Sequence, residues 1–257
     1  MTASLAGVFF GANSIRAMSL IHPAIAEAFT KISSANWESN QDTYFNFVLA
    51  HELHGLPTGT PIISPKVNEF ERHSTAHRAH FVDALIKLIP DGTAEFGKRL
   101  TSISRDEDRG ISIMNFADGT SAEADAVIGC DGIKSVCREI VLGKDSPFLQ
   151  PIFTGKHAYR GLIPMDKAVA ALGEEKARNR MMFLGVGGHM LVFPVAEGRV
   201  MNVVAFSTTK NGTWTGEWVK PMKREDMAMD FEGFGEDCQK IISVCSNFAP
   251  RIYVSCS

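Results

Sequence analysis

The run Ala124-Asp125-Ala126-Val127-Ile128-Gly129-Cys130 leaves little choice of fold. It is apolar enough for a buried strand, stops at Asp131-Gly132, and is followed from Lys134 to Glu139 by helical spacing. A strand that turns directly into a helix belongs to an α/β layered architecture, because helices on a sheet are what bury such a strand on both faces. The turn reads D-G-x-x-S-x-x-R, from Asp131 to Arg138. At this kind of junction the first helical amides lack intrahelical partners, so Asp131 and Gly132 suit contact with a phosphate or a sugar hydroxyl. The alternative is an Asx-type turn with Ser135 and Arg138 in solvent.

Upstream, Ile111–Phe116 alternates, Asp118-Gly119 makes a hairpin turn, and Ala122–Val127 returns, a β-meander that feeds the buried strand. Nearer the start, Ile15, Met18, Ile21, Ile25 and Phe29 keep helical spacing across Pro23, which predicts two short helices meeting at a corner behind the loop Gly11–Ser14. Thr43–Leu49 reads as a strand with Phe45, Phe47 and Leu49 on one face, and residues 50–68 read as loop. An amphipathic helix is expected over Ala79–Ile89, with Phe81/Val82, Leu85/Ile86 and Leu88/Ile89 as its buried stripe.

The second half is dominated by strand signals at 157–163, 181–184, 190–195 and 200–206, with a helix over Asp166–Asn179 between the first two. Their close spacing predicts antiparallel pairing. A last helix is expected over Arg224–Val244, weakened by Gly233 and Gly235. The fold class expected is therefore α/β (α+β) in three segments. Residues 1–150 form an α/β part with an inserted strand segment near 43–68, 151–223 a sheet, and 224–257 a helix with a tail.

Composition narrows the function. Lys+Arg number 26 against Asp+Glu 29 in 257 residues, for a net charge of -3. With no polybasic run, nucleic acid is not an expected partner. Five cysteines, an odd number with no C-x-x-C pair, argue against a disulfide framework and for a reducing, cytoplasmic setting; no metal site is expected. The apolar stretch Met181–Ala196 is broken by three glycines and Pro194, so no membrane span is expected. Met1–Ala12 has no basic residue before Arg16, so no secretory leader is expected.

A second string, Thr75–Leu85, puts Arg78 at the mouth of a helix, where a guanidinium makes charge-assisted, bidentate hydrogen bonds to a diphosphate, or simply an exposed ion pair. Three more strings lie in order with these two: Gly7–Ala17, Ala158–Asp166, and Gly187–Val195 followed by Asn202–Phe206. Together, over roughly residues 3 to 245, they resemble the class A flavoprotein monooxygenases, the FAD-dependent aromatic hydroxylases, and most closely the fungal salicylate-hydroxylase-like branch.

The resemblance implies an incomplete FAD/NAD(P)-binding Rossmann-like domain with an antiparallel-sheet substrate domain. It implies FAD as cofactor, NADH or NADPH as electron donor, and a small aromatic substrate, salicylate-like or phenolic, hydroxylated with oxygen. Gly7 falls in the segment that approaches FAD, Arg78 matches an arginine that contacts the flavin nucleotide, and Asp131 and Gly132 match the second dinucleotide motif. Arg160 matches a sheet arginine that helps hold a phenolate and is the catalytic candidate; a structural role in the sheet explains it equally well. Phe193 stands where some members carry a tyrosine, and His189, after a Gly-Gly turn, has no partner in view.

The departures are as specific as the matches. No G-x-G-x-x-G string occurs, and no G-D-x-x-H segment. Cys245–Ser257 does not resemble the family, and the chain reads as truncated at both ends. Without the diphosphate loop the expectation is weak FAD retention, so a catalytically silent chain is the alternative to an active hydroxylase.

Overall fold

The computed structural model describes residues 7–69, 72, 74–209, 223–245 and 251–255. Residues 1–6, 210–222 and most of the expected tail lie outside them. The chain forms two compact units, residues 1–89 with 155–252, and residues 90–154 with 253–257.

The first unit begins with β1 (Gly7–Phe9), α1 (Ala12–Ile21) and α2 (Pro23–Ile32). The corner expected at Pro23 is present: Pro23 opens α2, and the His22 ring accepts a hydrogen bond from the Ala24 amide at 3.2 Å. Next come β2 (Ser33–Ser34), β3 (Asn46–Leu49), β4 (Pro61–Ile63), β5 (Thr75–His77) and α3 (Arg78–Ile86). The second unit holds the expected meander as β6 (Leu100–Asp106), β7 (Ile111–Phe116) and β8 (Ser121–Ala124), followed by α4 (Val136–Leu142).

The chain then builds β9 (Ile152–Pro164), α5 (Met165–Leu172), α6 (Glu174–Ala177), β10 (Met181–Gly185), β11 (Gly188–Val195) and β12 (Val200–Thr208). It finishes with α7 (Arg224–Asp230), α8 (Glu236–Val244) and β13 (Arg251–Ser255). The expected last helix is two, because the backbone at Gly233 takes φ +83°, outside the right-handed helical region. The strand order of the large sheet is β13-β9-β12-β11-β10-β3-β4, and β9 to β12 pair antiparallel as expected.

Three expectations are corrected. The division at residue 150 does not describe the compact units: β3 lies parallel to β10, with Phe47 opposite Met182, so the inserted segment of the first half completes the sheet of the second. Residues 126–130 join no ladder among the described residues, and Ile128 is 87% exposed where a buried strand residue was expected. The stripe of α3 is covered only in part. That helix has no fully buried residue; Phe81 packs on Phe10 and Phe29, and His80 lies against His77, while Val82, Ile86, Leu88 and Ile89 are exposed. In both places the apolar pattern is that of a buried element, but the described residues leave much of it exposed.

The main core lies on one face of the large sheet. Tyr159, Ile163, Met190, Val192, Met201, Val203 and Ala205 meet Met227, Phe231, Ile241 and Ile242 of α7 and α8 there. A second junction is polar. Arg180, immediately before β10, is fully buried and donates to the Thr43 carbonyl at 2.6 Å and to the Ser74 hydroxyl. Its guanidinium also sits 5.9 Å from the centre of the Phe9 ring. Its amide donates to Asn36 Oδ1 at 2.8 Å, and its carbonyl accepts from Asn46 at 2.9 Å. Burial pushes the guanidinium down to about 10, an effect that nearby Tyr44 only partly opposes. Lysine cannot reproduce this fork. Arg180→Lys is expected to lower the unfolding free energy by about 2–3 kcal/mol, measured by urea denaturation; a change below about 0.5 kcal/mol would show that the junction does not need it.

Candidate functional site

Strand alternation sorts the large sheet into two faces. One faces the main core. The other carries Arg160 and Leu162 of β9, Asn202, Val204 and Phe206 of β12, His189, Leu191 and Phe193 of β11, and Met182 and Leu184 of β10. Arg160 is opposite Val204, Val204 opposite Leu191, and Leu191 opposite Met182, so the arginine stands at the end of an apolar row.

The small sheet β1-β5-β2 covers one end of this face. The Gly7 amide donates to Asn202 Oδ1 at 2.8 Å, and a Cβ at Gly7 would lie 2.7 Å from Asn202 Cγ and 2.8 Å from the Phe193 ring. The Thr75 hydroxyl donates to the Pro194 carbonyl at 2.7 Å. Gly7 is therefore required by close packing against the sheet. Phe193 is buried beneath it, among Phe45 and Phe9. Arg160, Leu191, Phe206 and His189 stay half-buried beyond the covered end.

The back of β9 is fixed by charge. Tyr159 donates its hydroxyl to Asp230 Oδ2 at 2.6 Å, and His157 Nε2 lies 2.6 Å from the same oxygen. Burial, followed by the Asp230 hydrogen bond, raises the Tyr159 hydroxyl well above its usual range. Asp230 ends α7, so this contact sets where β9 lies and hence where Arg160 stands. Sequence reasoning assigned no role to Asn202, Tyr159, Asp230 or Arg180; a polar residue at a core-facing strand position was the available signal for Tyr159.

His189 has a partner after all. Its ring stacks on Phe206, with centroids 4.8 Å apart and planes at 22°. Burial, then the charge of Lys156, holds the imidazole below its ordinary value. Arg78 opens α3 directly after His77, which pairs with Gly7, and it is exposed, with no hydrogen bond or ion pair among the described residues. Gly7, Arg78 and Arg160 thus belong to the first unit.

Asp131 and Gly132 belong to the second. Here one expectation is corrected: the amides after the turn are not left over for a phosphate. Asp131 Oδ2 accepts from Val136 at 2.7 Å and from Cys137 at 3.1 Å, Ser135 Oγ accepts from Arg138 at 2.9 Å, and Asp131 Oδ1 accepts from the Ser135 hydroxyl. The carboxylate caps α4 and consumes the donors itself. Gly132 has φ +79° with open space over its Cα, so its backbone remains approachable. An open cleft of about 650 Å³ lies here, bounded by Asp131, Gly132, Cys130 and the exposed side chain of Val141. Among the described residues no group of three metal-ligating side chains occurs, and no helix is long and apolar enough to cross a membrane.

The Ser135 hydroxyl first, then the Cys137 and Val136 amides, lower the Asp131 carboxyl to about 2. Because the folded value lies below the ordinary 3.8, the cap stabilises fully above about pH 4 and is lost as pH falls through about 2. A carbon-detected titration of Asp131 is expected to show that low midpoint, and Asp131→Asn to speed amide exchange at Val136 and Cys137. A midpoint near the ordinary value with unchanged exchange would contradict the cap.

No protein-family model matches the chain. It is 40% identical over 242 residues to the 6-methylsalicylate 1-monooxygenase atA of Aspergillus terreus, covering 93% of this chain and 53% of that protein. It is 37% identical over 248 residues to the FAD-dependent monooxygenase pigN of Monascus ruber, covering 96% and 56%. Its fold matches a salicylate hydroxylase substrate complex with a TM-score of 0.81 at 29% identity, covering 97% of this chain and 61% of that one. The chain spans about half the length of the curated relatives it matches. Over nearly all of its length, it is a homologue of part of the FAD-dependent monooxygenases, a group that includes salicylate hydroxylase.

Proposed function

We propose that this chain carries the substrate-holding face, and part of the flavin-contacting surface, of a hydroxylase for a small aromatic anion. The observation that carries this reading is Arg160 at the end of the row Val204, Leu191 and Met182, on a sheet face whose far end is sealed by Gly7 and Phe193. A flat apolar floor takes an aromatic ring, and a guanidinium at its edge takes the ring's carboxylate or phenolate. Relatives named for salicylate and 6-methylsalicylate fit that chemistry.

FAD fits only some of the residues present. Arg78 is exposed and available for a phosphate, and Gly132 allows close backbone approach. Asp131 has acceptor capacity left on Oδ1 for a ribityl or ribose hydroxyl, whereas the α4 amides are already capped. When bound, FAD would supply the oxygen chemistry, with NADH or NADPH as reductant. This chain's residues would orient the substrate, neutralise its charge and keep water from the apolar floor.

A second reading is that the chain is catalytically silent. It is supported by the capped amides and by the uncovered apolar side chains of Ile128 and Val141. The two readings part on nicotinamide oxidation in the presence of FAD: stimulation by salicylate marks the hydroxylase, and its absence the silent chain. Binding is tested separately by NMR titration with salicylate. Arg160→Met is expected to weaken the complex about 10- to 100-fold, the worth of a charge-assisted hydrogen bond. Equal affinity in both proteins would remove the proposed site.

A further inference from the structure

The second unit carries a pair of thiols that the proposed function leaves idle. Cys130 precedes the Asp131-Gly132 turn and is exposed; Cys137 lies in the first turn of α4 and is half-buried. Both line the open cleft of about 650 Å³, together with Asp131, Gly132 and Ser135. Cys238 and Cys245 are buried in the core of the first unit instead.

Gly129 shows how closely the chain before the turn approaches α4. A Cβ there would lie 2.5 Å from Cys137 Cβ and 2.9 Å from its Sγ, so only glycine fits. Adding one carbon–carbon bond at each end puts the Gly129 and Cys137 Cα atoms within about 5.6 Å, inside the roughly 4.4–6.8 Å that a disulfide spans. Cys130 is the next residue, about 3.8 Å further along the chain. Little holds it away. Residues 126–130 join no ladder among the described residues, and Gly132 has φ +79° with open space over its Cα. Burial, then the charge of Asp131, raises the Cys137 thiol, with nearby Cys130 a smaller contributor. The exposed thiol of Cys130 is therefore the one that reacts first.

We infer that Cys130 and Cys137 are a redox-active pair, forming a reversible disulfide across the Asp131-Gly132 turn by exchange with a low-molecular-weight disulfide. The Cys130 thiolate attacks one sulfur of the incoming disulfide. That S–S bond breaks, a mixed disulfide forms on Cys130, and the departing thiolate takes a proton from water. Cys137 then gives its proton to water, and its thiolate attacks the Cys130 sulfur, so that the second small thiol leaves. Two cysteine thiols are oxidised, and one small disulfide is reduced to two thiols. The bond encloses residues 130–137 in a ring and restricts the turn. This inference stands on the geometry of the turn and does not depend on a flavin or an aromatic ligand.

The test incubates the reduced full chain with oxidised glutathione, quenches it in acid and locates its thiols by peptide mass spectrometry, for wild type, Cys137→Ser and Cys130→Ser. Wild type is expected to lose two hydrogens, with Cys130 joined to Cys137, and to regain both with dithiothreitol. Cys137→Ser should stop at a stable glutathione adduct on Cys130, because the second thiol is missing. Cys130→Ser should react at Cys137 at least about 10-fold more slowly than wild type reacts at Cys130, because the remaining thiol is shielded. An equal rate would overturn the order of attack. A glutathione adduct that persists on Cys130 of the wild type, no reaction at either residue, or bridging to Cys238 or Cys245 instead would overturn the pair. The wild-type map alone decides this, even where a variant fails to fold.

Discussion

A buried cation without a carboxylate partner among the described residues holds the first unit together. The guanidinium of Arg180 joins the loop at Thr43, the strand lead-in at Ser74 and the ring of Phe9, while its backbone ties Asn36 to Asn46. Removing such a charge from water costs several kcal/mol unless hydrogen bonds replace hydration. Carbonyl and hydroxyl acceptors from segments distant in the chain do so for the two terminal nitrogens, while Nε has no partner among the described residues. Satisfying one side chain thus requires β1, β3, β5 and β10 to arrive together, and their arrival places Gly7 on Asn202 and Phe193.

Once the small sheet is seated, the two faces of the large sheet differ. The core face is filled by α7 and α8, and Asp230 at the end of α7 grips Tyr159 and His157 of β9. On the opposite face, the end beneath β1 is closed, and at the other end Val204 is buried while Arg160, Phe206 and His189 are half-buried. That Arg160 and His189 share this face follows from register, because residues two apart on a strand share a face.

What was legible in the sequence was local. Period-two alternation gave β9 to β12 and their antiparallel order, Pro23 marked the corner between α1 and α2, and the glycines near 233 marked a weak point that proved to be a break. What was not legible depended on distant partners. The pairing of Phe47 with Met182 joins residues more than a hundred positions apart, so no boundary drawn by local period includes it. The α3 stripe and Ile128 have the pattern of buried residues, yet burial also needs a covering element, which the described residues supply only at Phe81 and its neighbours on α3 and not at Ile128. At Asp131 both a ligand-facing turn and an Asx-type turn were open; the carboxylate's contacts with Ser135, Val136 and Cys137 decide that the capping role is real. Arg78 opens α3 and Arg160 lies on β9, so both fall on elements whose local pattern the sequence shows.

The central claim is that an aromatic anion lies on the face of the sheet opposite the main core. Intermolecular NOEs from the ring protons of bound salicylate to methyl-labelled chain test it most directly. The account predicts contacts to the methyls of Val204 and Leu191, and none to those of Val203 and Val192, which point into the core. Contacts confined to any other surface, or to no methyl at all, would contradict it.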